Sequence, residues 1–120
     1  FIDKPHLIRA SECLAESFTI VEKIGERRMI ATVKLNMATV LLLRGKKKEG
    51  RELFDEVIKR LETINDLSDL MISYFKFGQV LKKVGQNSDA RKILKKALRI
   101  SRELMDGEAS EQIAAEMQGL

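Results

Sequence analysis

Residues 70–104 read LMISYFKFGQVLKKVGQNSDARKILKKALRISREL, and two helical patterns meet within them. In 90–104 the apolar residues are Ala90, Ile93, Leu94, Ala97, Leu98, Ile100 and Leu104. At about 100° per residue they cover one half of a helical wheel. Arg91, Lys92, Lys95, Lys96, Arg99 and Arg102 cover the other half. That segment reads as a helix with one wet side. In 70–84, by contrast, Leu70, Met71, Tyr74, Phe75, Phe77, Gly78, Val80, Leu81 and Val84 wrap most of the circumference. Such a helix needs covering on more than one side. Gly85 stands between the two, where a helix ends in a left-handed turn. The stretch is therefore an inner helix, a tight turn and an outer helix.

The same arrangement recurs on a shift of 40 positions. Leu43-Arg44-Gly45 lies over Lys83-Val84-Gly85, and Gly50, Phe54, Ile58 and Ile64 lie over Ala90, Leu94, Leu98 and Leu104. Ala10, Leu14, Phe18, Val21 and Ile24 fall in turn over Gly50, Phe54, Ile58, Leu61 and Ile64. The turns Gly25-Glu26, Asn65-Asp66 and Met105-Asp106 share one register, and Asp66 and Ser88 stand where they can cap a helix start. The spacing predicts six helices at about 5–24, 27–44, 47–64, 67–84, 87–105 and 107–120, alternating outer and inner. The single proline, Pro5, leaves the rest free to run as uninterrupted helix.

These residues resemble the tetratricopeptide repeat in its longer variety of about 40 residues, similar to kinesin light chain-type repeats and to the helper domains of some bacterial regulators. Tyr74, Phe77, Gly78, Leu81, Gly85, Ala90, Leu94 and Ala97 carry the resemblance best. Met37, Ala38, Leu41, Gly45, Gly50, Phe54 and Val57 repeat it, and Ala10, Leu14, Ser17, Ile20, Glu22, Gly25 and Glu26 follow the outer-helix pattern. Small residues let helix axes approach and bulky ones fill the facing grooves. The resemblance implies an all-α, right-handed α-solenoid of antiparallel helix hairpins spanning 1–120 as one repeat domain. The start on Phe1 and the half-repeats at either end suggest a piece of a longer array. Two departures stand out: Lys34 replaces the bulky residue that Tyr74 supplies in the next unit, and Gln118 falls where a small residue belongs, so the last helix is expected to be displaced or frayed.

Catalytic signatures are missing. There is no phosphate-binding glycine loop, no His-Glu-x-x-His and no Cys-x-x-Cys. The single histidine, His6, and the single cysteine, Cys13, are two turns apart, too few for a zinc site and more simply a surface His and a half-buried Cys. Glu49, Glu52, Asp55 and Glu56 gather near a helix start, where the dipole favours acids. No enzymatic role, metal or cofactor is expected. A lone cysteine points to a reducing, cytoplasmic setting, and no stretch reads as a membrane span. A composition of 44% hydrophobic and 33% charged residues is that of a folded, not a disordered, chain.

In the family the inner helices line a concave groove. By register, the groove-facing residues are Thr32, Leu35, Asn36, Thr39, Leu42 and Leu43, then Ile72, Phe75, Lys76, Gln79, Lys82 and Lys83, then Gln112, Ala115 and Glu116. Asn36 offers a donor and an acceptor to an extended peptide backbone. Leu35, Leu42 and Phe75 would add apolar contact on a wet wall, although a one-position slip would bury Leu42 in the core. Lys76, Lys82 and Lys83 favour an acidic-amphipathic protein or peptide partner. The clamp some relatives use for a C-terminal carboxylate needs polar groups where Leu35 and Thr39 stand. The function expected is therefore a protein-binding adaptor or scaffold. A regulatory or sensor domain of a larger transcriptional or signalling protein is the alternative, and a structural spacer another. Exposed terminal helices offer a dimer contact. Nucleic acid is a poor fit, because no aromatic interleaves the basic residues of 91–102.

Overall fold

The computed structural model describes residues 4–120, which form six helices and no strand. They are α1 (Pro5–Ile24), α2 (Arg27–Leu43), α3 (Lys47–Ile64), α4 (Leu67–Lys83), α5 (Asn87–Glu103) and α6 (Gly107–Met117). The inner helices start at Arg27, Leu67 and Gly107, each 40 residues after the last, and α3 and α5 keep the same interval. The all-α repeat expected from the sequence is what forms. The last helix is shorter than expected: Gln118 leaves it in extended conformation and Gly119 turns with φ 83°.

One turn geometry closes four of the helices. After α2, the amide of Lys46 donates to Leu41 O (2.8 Å) and that of Gly45 to Leu42 O (3.0 Å). After α4, Gln86 donates to Leu81 O (2.8 Å) and Gly85 to Lys82 O (3.1 Å). Asp66 to Leu61 O (3.3 Å) and Asp106 to Ser101 O (2.9 Å) repeat the bond after α3 and α5. Each pattern needs a left-handed residue, and glycine supplies it at Gly45 (φ 82°) and Gly85 (φ 85°). Asn65 (φ 59°) and Met105 (φ 57°) take the same conformation with a side chain attached. Asn tolerates it; Met does so at a steric cost.

The inner helices α2, α4 and α6 begin on carboxylates. Glu26 accepts from the amides of Arg28 and Met29, Asp66 from Asp69, and Asp106 from Ala109. Ser88 does not cap: it lies inside the first turn of α5, whose N-cap is Gln86 without a side-chain bond.

The chain divides into two compact units, Phe1–Arg60 and Leu61–Leu120, with the boundary inside α3. In the first, α1 packs on α2. Ile30, Ala31, Leu35, Ala38 and Leu42 of α2 and Phe54, Val57 and Ile58 of α3 are buried, with Val21 from α1. A Cβ on Gly50 would stand 3.0 Å from Ala38 O and 3.2 Å from Leu42 Cγ, so the two backbones meet almost directly. Lys34, the odd residue at the bulky position, is accommodated rather than expelled. Its stem is mostly covered, its ammonium donates to Glu56 Oε1 (2.8 Å) and lies 5.4 Å from the centre of the Phe18 ring. The position 40 residues on from each shows the same pairing with the chemistry exchanged: Lys96 lies 5.7 Å over the ring of Tyr74.

In the second unit α5 packs against both α4 and α6. Leu70, Met71, Phe77, Gly78 and Leu81 of α4 meet Ala90, Ile93, Leu94, Ala97 and Ile100 of α5, and Ile113 of α6 completes the core. Ser101 is fully buried where the previous outer helix has Leu61. Its hydroxyl is satisfied by Leu98 O (2.6 Å) and Ser110 Oγ (2.7 Å). The tightest crossing is at Gly78, where an added Cβ would fall 2.6 Å from Leu94 Cδ2 and 2.7 Å from Leu94 Cγ.

Leu94 is fully buried and has nowhere to retreat. Gly78→Leu should therefore destabilise the chain by about 3 kcal/mol or unfold it outright, seen as a fall of the thermal midpoint by circular dichroism; an unchanged midpoint would contradict this crossing. Met105→Gly should do the opposite. Its side chain is 90% exposed and contributes little packing, so relief of the left-handed strain should add about 1 kcal/mol in denaturant melts.

Candidate functional site

The packing decides which of the expected groove residues remain on the surface. On α2, Ala31, Leu35, Ala38 and Leu42 recur at spacings of four, three and four and form the buried face, with Leu35 4% and Leu42 1% exposed. Both had been assigned to an open wall, and that assignment is corrected: they are core. The close approach of Gly50 to Leu42 supplies the reason, since it brings α3 onto that flank of α2. What α2 leaves open is a narrower stripe of Thr32 and Asn36, both exposed, with half-buried Thr39 and Leu43. Met29, 43% exposed, heads it. Thr39 bonds inward to Leu35 O (3.1 Å), whereas no protein partner holds the Asn36 amide among the described residues.

On α4 the corresponding stripe is richer. Ile72 (43% exposed), Lys76, Gln79 and Lys83 follow one another at spacings of four, three and four, and half-buried Phe75 borders them. Among the described residues none of Ile72, Lys76, Gln79 and Lys83 makes a side-chain hydrogen bond or ion pair. An apolar residue thus stands beside three polar ones, all uncommitted. Lys82 is not available in the same way. Its ammonium donates to Glu116 O (2.8 Å) and lies 3.9 Å from Glu116 Oε1, so it ties α4 to α6. Glu116 is spent on that tie, while Gln112 and Ala115 of α6 are exposed. The residues expected to act together are therefore separated by role. Leu35 and Leu42 build the core, Lys82 and Glu116 join two helices, and the rest stay on the inner-helix surface.

Among the described residues no three His, Cys, Asp or Glu side chains gather as a metal set. His6 and Cys13 are both exposed, so the half-buried position expected for Cys13 is not what forms. Among the same residues no helix is long and apolar enough to cross a membrane. The sequence reading missed the Lys34–Glu56 pair; the signal for it lay in the 40-residue shift, which aligns it with Tyr74 and Lys96.

Comparison with known proteins agrees with this architecture. A family model described as Tetratricopeptide repeat matches residues 29–103, from the start of α2 to the end of α5. A comparison with curated proteins gave no match.

The division between core and surface can be checked without a partner. Leu42→Ala should cost about 3 kcal/mol of unfolding free energy and Leu35→Ala about as much. Asn36→Ala and Lys76→Ala should each stay within about 0.5 kcal/mol of the parent. Equal costs for all four in urea melts would contradict the assignment.

Proposed function

We propose, from the premise that this chain belongs to the tetratricopeptide repeat family, that it works as a protein-interaction module whose inner helices take up a segment of a partner protein. Repeats of this family generally mediate protein–protein interaction and are typically not enzymes. The observation that carries the finer reading is the α4 stripe. Ile72, Lys76, Gln79 and Lys83 are displayed along one helix edge and hold no partner within the chain.

The chemistry of that stripe suggests how a partner would be held. Ile72 removes apolar surface from water on contact, at roughly 25 cal/mol per Å² buried. The Gln79 amide can donate and accept, which suits a peptide backbone of any sequence. Lys76 and Lys83, one turn to either side of Gln79 or nearly so, attract acidic side chains and raise the rate of encounter. An acidic-amphipathic segment answers all three. On α2, Thr32, Asn36 and Thr39 offer a mostly polar version of the same edge, with Met29 as its apolar member. Leu35 and Leu42 play no direct part, being core. In this reading the chain is an adaptor: specificity lies in the stripe, and the rest of each helix holds the stripe in place.

A peptide selected from a random library on the folded chain tests this. Replacing Ile72, Lys76 and Gln79 together by Ala should lower its affinity about 10-fold or more with helicity unchanged. Asn36→Ala, measured separately, reports on the α2 edge. Selected peptides that bind the triple variant as tightly as the parent would rule the α4 stripe out as the binding face.

A further inference from the structure

The charge on α5 is unlike that of any other helix in the chain. Arg91, Lys92, Lys95, Lys96, Arg99 and Arg102 are all exposed, on the side turned away from the Ala90, Ile93, Leu94, Ala97 and Ile100 face that packs on α4 and α6. Lys96 lies over Tyr74, and among the described residues none of the six forms an ion pair. The repeat does not ask for most of these cations, although Arg51 and Lys59 stand where Arg91 and Arg99 do. Forty residues earlier, the positions of Lys92, Lys95, Lys96 and Arg102 hold Glu52, Asp55, Glu56 and Glu62 on a helix of the same kind. Six like charges on one helix face repel one another. The formal net charge of the chain is +4, smaller than the charge of this one ridge, so the remainder is net acidic.

We propose that the outer face of α5 is a second docking surface, and that it takes a short acidic segment of a protein. The extent of the ridge argues for such a ligand. From Arg91 to Arg102 it runs about 16 Å at ~1.5 Å per residue, the length of about five residues of extended peptide at ~3.3 Å each. Acidic residues bound it at both ends: Asp89 before it, and Glu103, Asp106 and Glu108 after it. A long polyanion such as a nucleic-acid duplex would run past the cations onto these carboxylates. A short acidic segment would not. The face also carries no aromatic side chain for stacking on bases and no amide for reading their edges. No large apolar residue interrupts it, so recognition rests on charge and weakens with salt. This surface is separate from the α4 stripe, and either can fail without the other.

The test uses a fluorescein-labelled penta-glutamate peptide, the folded chain and fluorescence anisotropy at low ionic strength. The variant Lys92→Glu, Lys95→Glu and Arg99→Glu leaves Lys96 on Tyr74 and should keep the parent's helicity. It should weaken binding by about 10-fold or more. The control Lys46→Glu, Lys47→Glu and Lys48→Glu makes the same change in net charge at the start of α3, where all three lysines are exposed. It should weaken binding far less, and a 20-base-pair DNA duplex should bind the parent no more tightly than the peptide does. No binding of penta-glutamate, equal losses in the variant and its control, or tighter binding of the duplex would each overturn the proposal.

Discussion

The close approach of inner to outer helix is the constraint on which the rest depends. At Gly78 the backbone of α4 comes near enough to the Leu94 side chain that a single methyl group would collide with it. At Gly50 the backbone of α3 comes nearly as close to Ala38 and Leu42. Small residues at these points let large ones interlock around them, with Phe77 and Leu81 buried on one side and Phe54 and Val57 on the other. The turns then need only be short. A left-handed residue and an amide reaching back to a carbonyl in the last helical turn return the chain within three residues, and an acidic cap starts each inner helix.

Once the crossings are set, the surfaces follow. A helix pinned by one face presents the opposite one, and the residues there are released from packing duty. On α5 the released face is mostly cationic; on α4 a stripe mixes one isoleucine with lysine and glutamine. The region matching the family runs from α2 through α5. Family membership leaves the released faces free to vary, and any partner preference must reside there.

Much of the fold was legible because its signals are local or periodic. Gly45 and Gly85 mark their turns by themselves, and the 40-residue shift places five of the six helix starts. The candidate site was less legible. Leu35 and Leu42 were expected on the surface from the register of the family's groove. On α4 the aligned residues are Phe75, half-buried, and Lys82, which leans toward Glu116. The two inner helices differ in how α3 and α5 rest on them, and that difference depends on packing that no single helix records. The spacing of Ala31, Leu35, Ala38 and Leu42 held the correct answer, but a neighbouring edge at nearly the same angle competed with it. Lys34 was marked as a departure without its remedy, because the remedy, Glu56, lies on another helix 22 residues away.

The proposed role of the inner helices is to bind protein through their open edges. Amide chemical-shift mapping of the folded chain, titrated with a library-selected peptide, tests this most directly. The largest shifts are predicted along Ile72, Lys76, Gln79 and Lys83, with buried Leu81 and Leu94 little changed. Shifts that avoid this edge and gather elsewhere on the chain would contradict it.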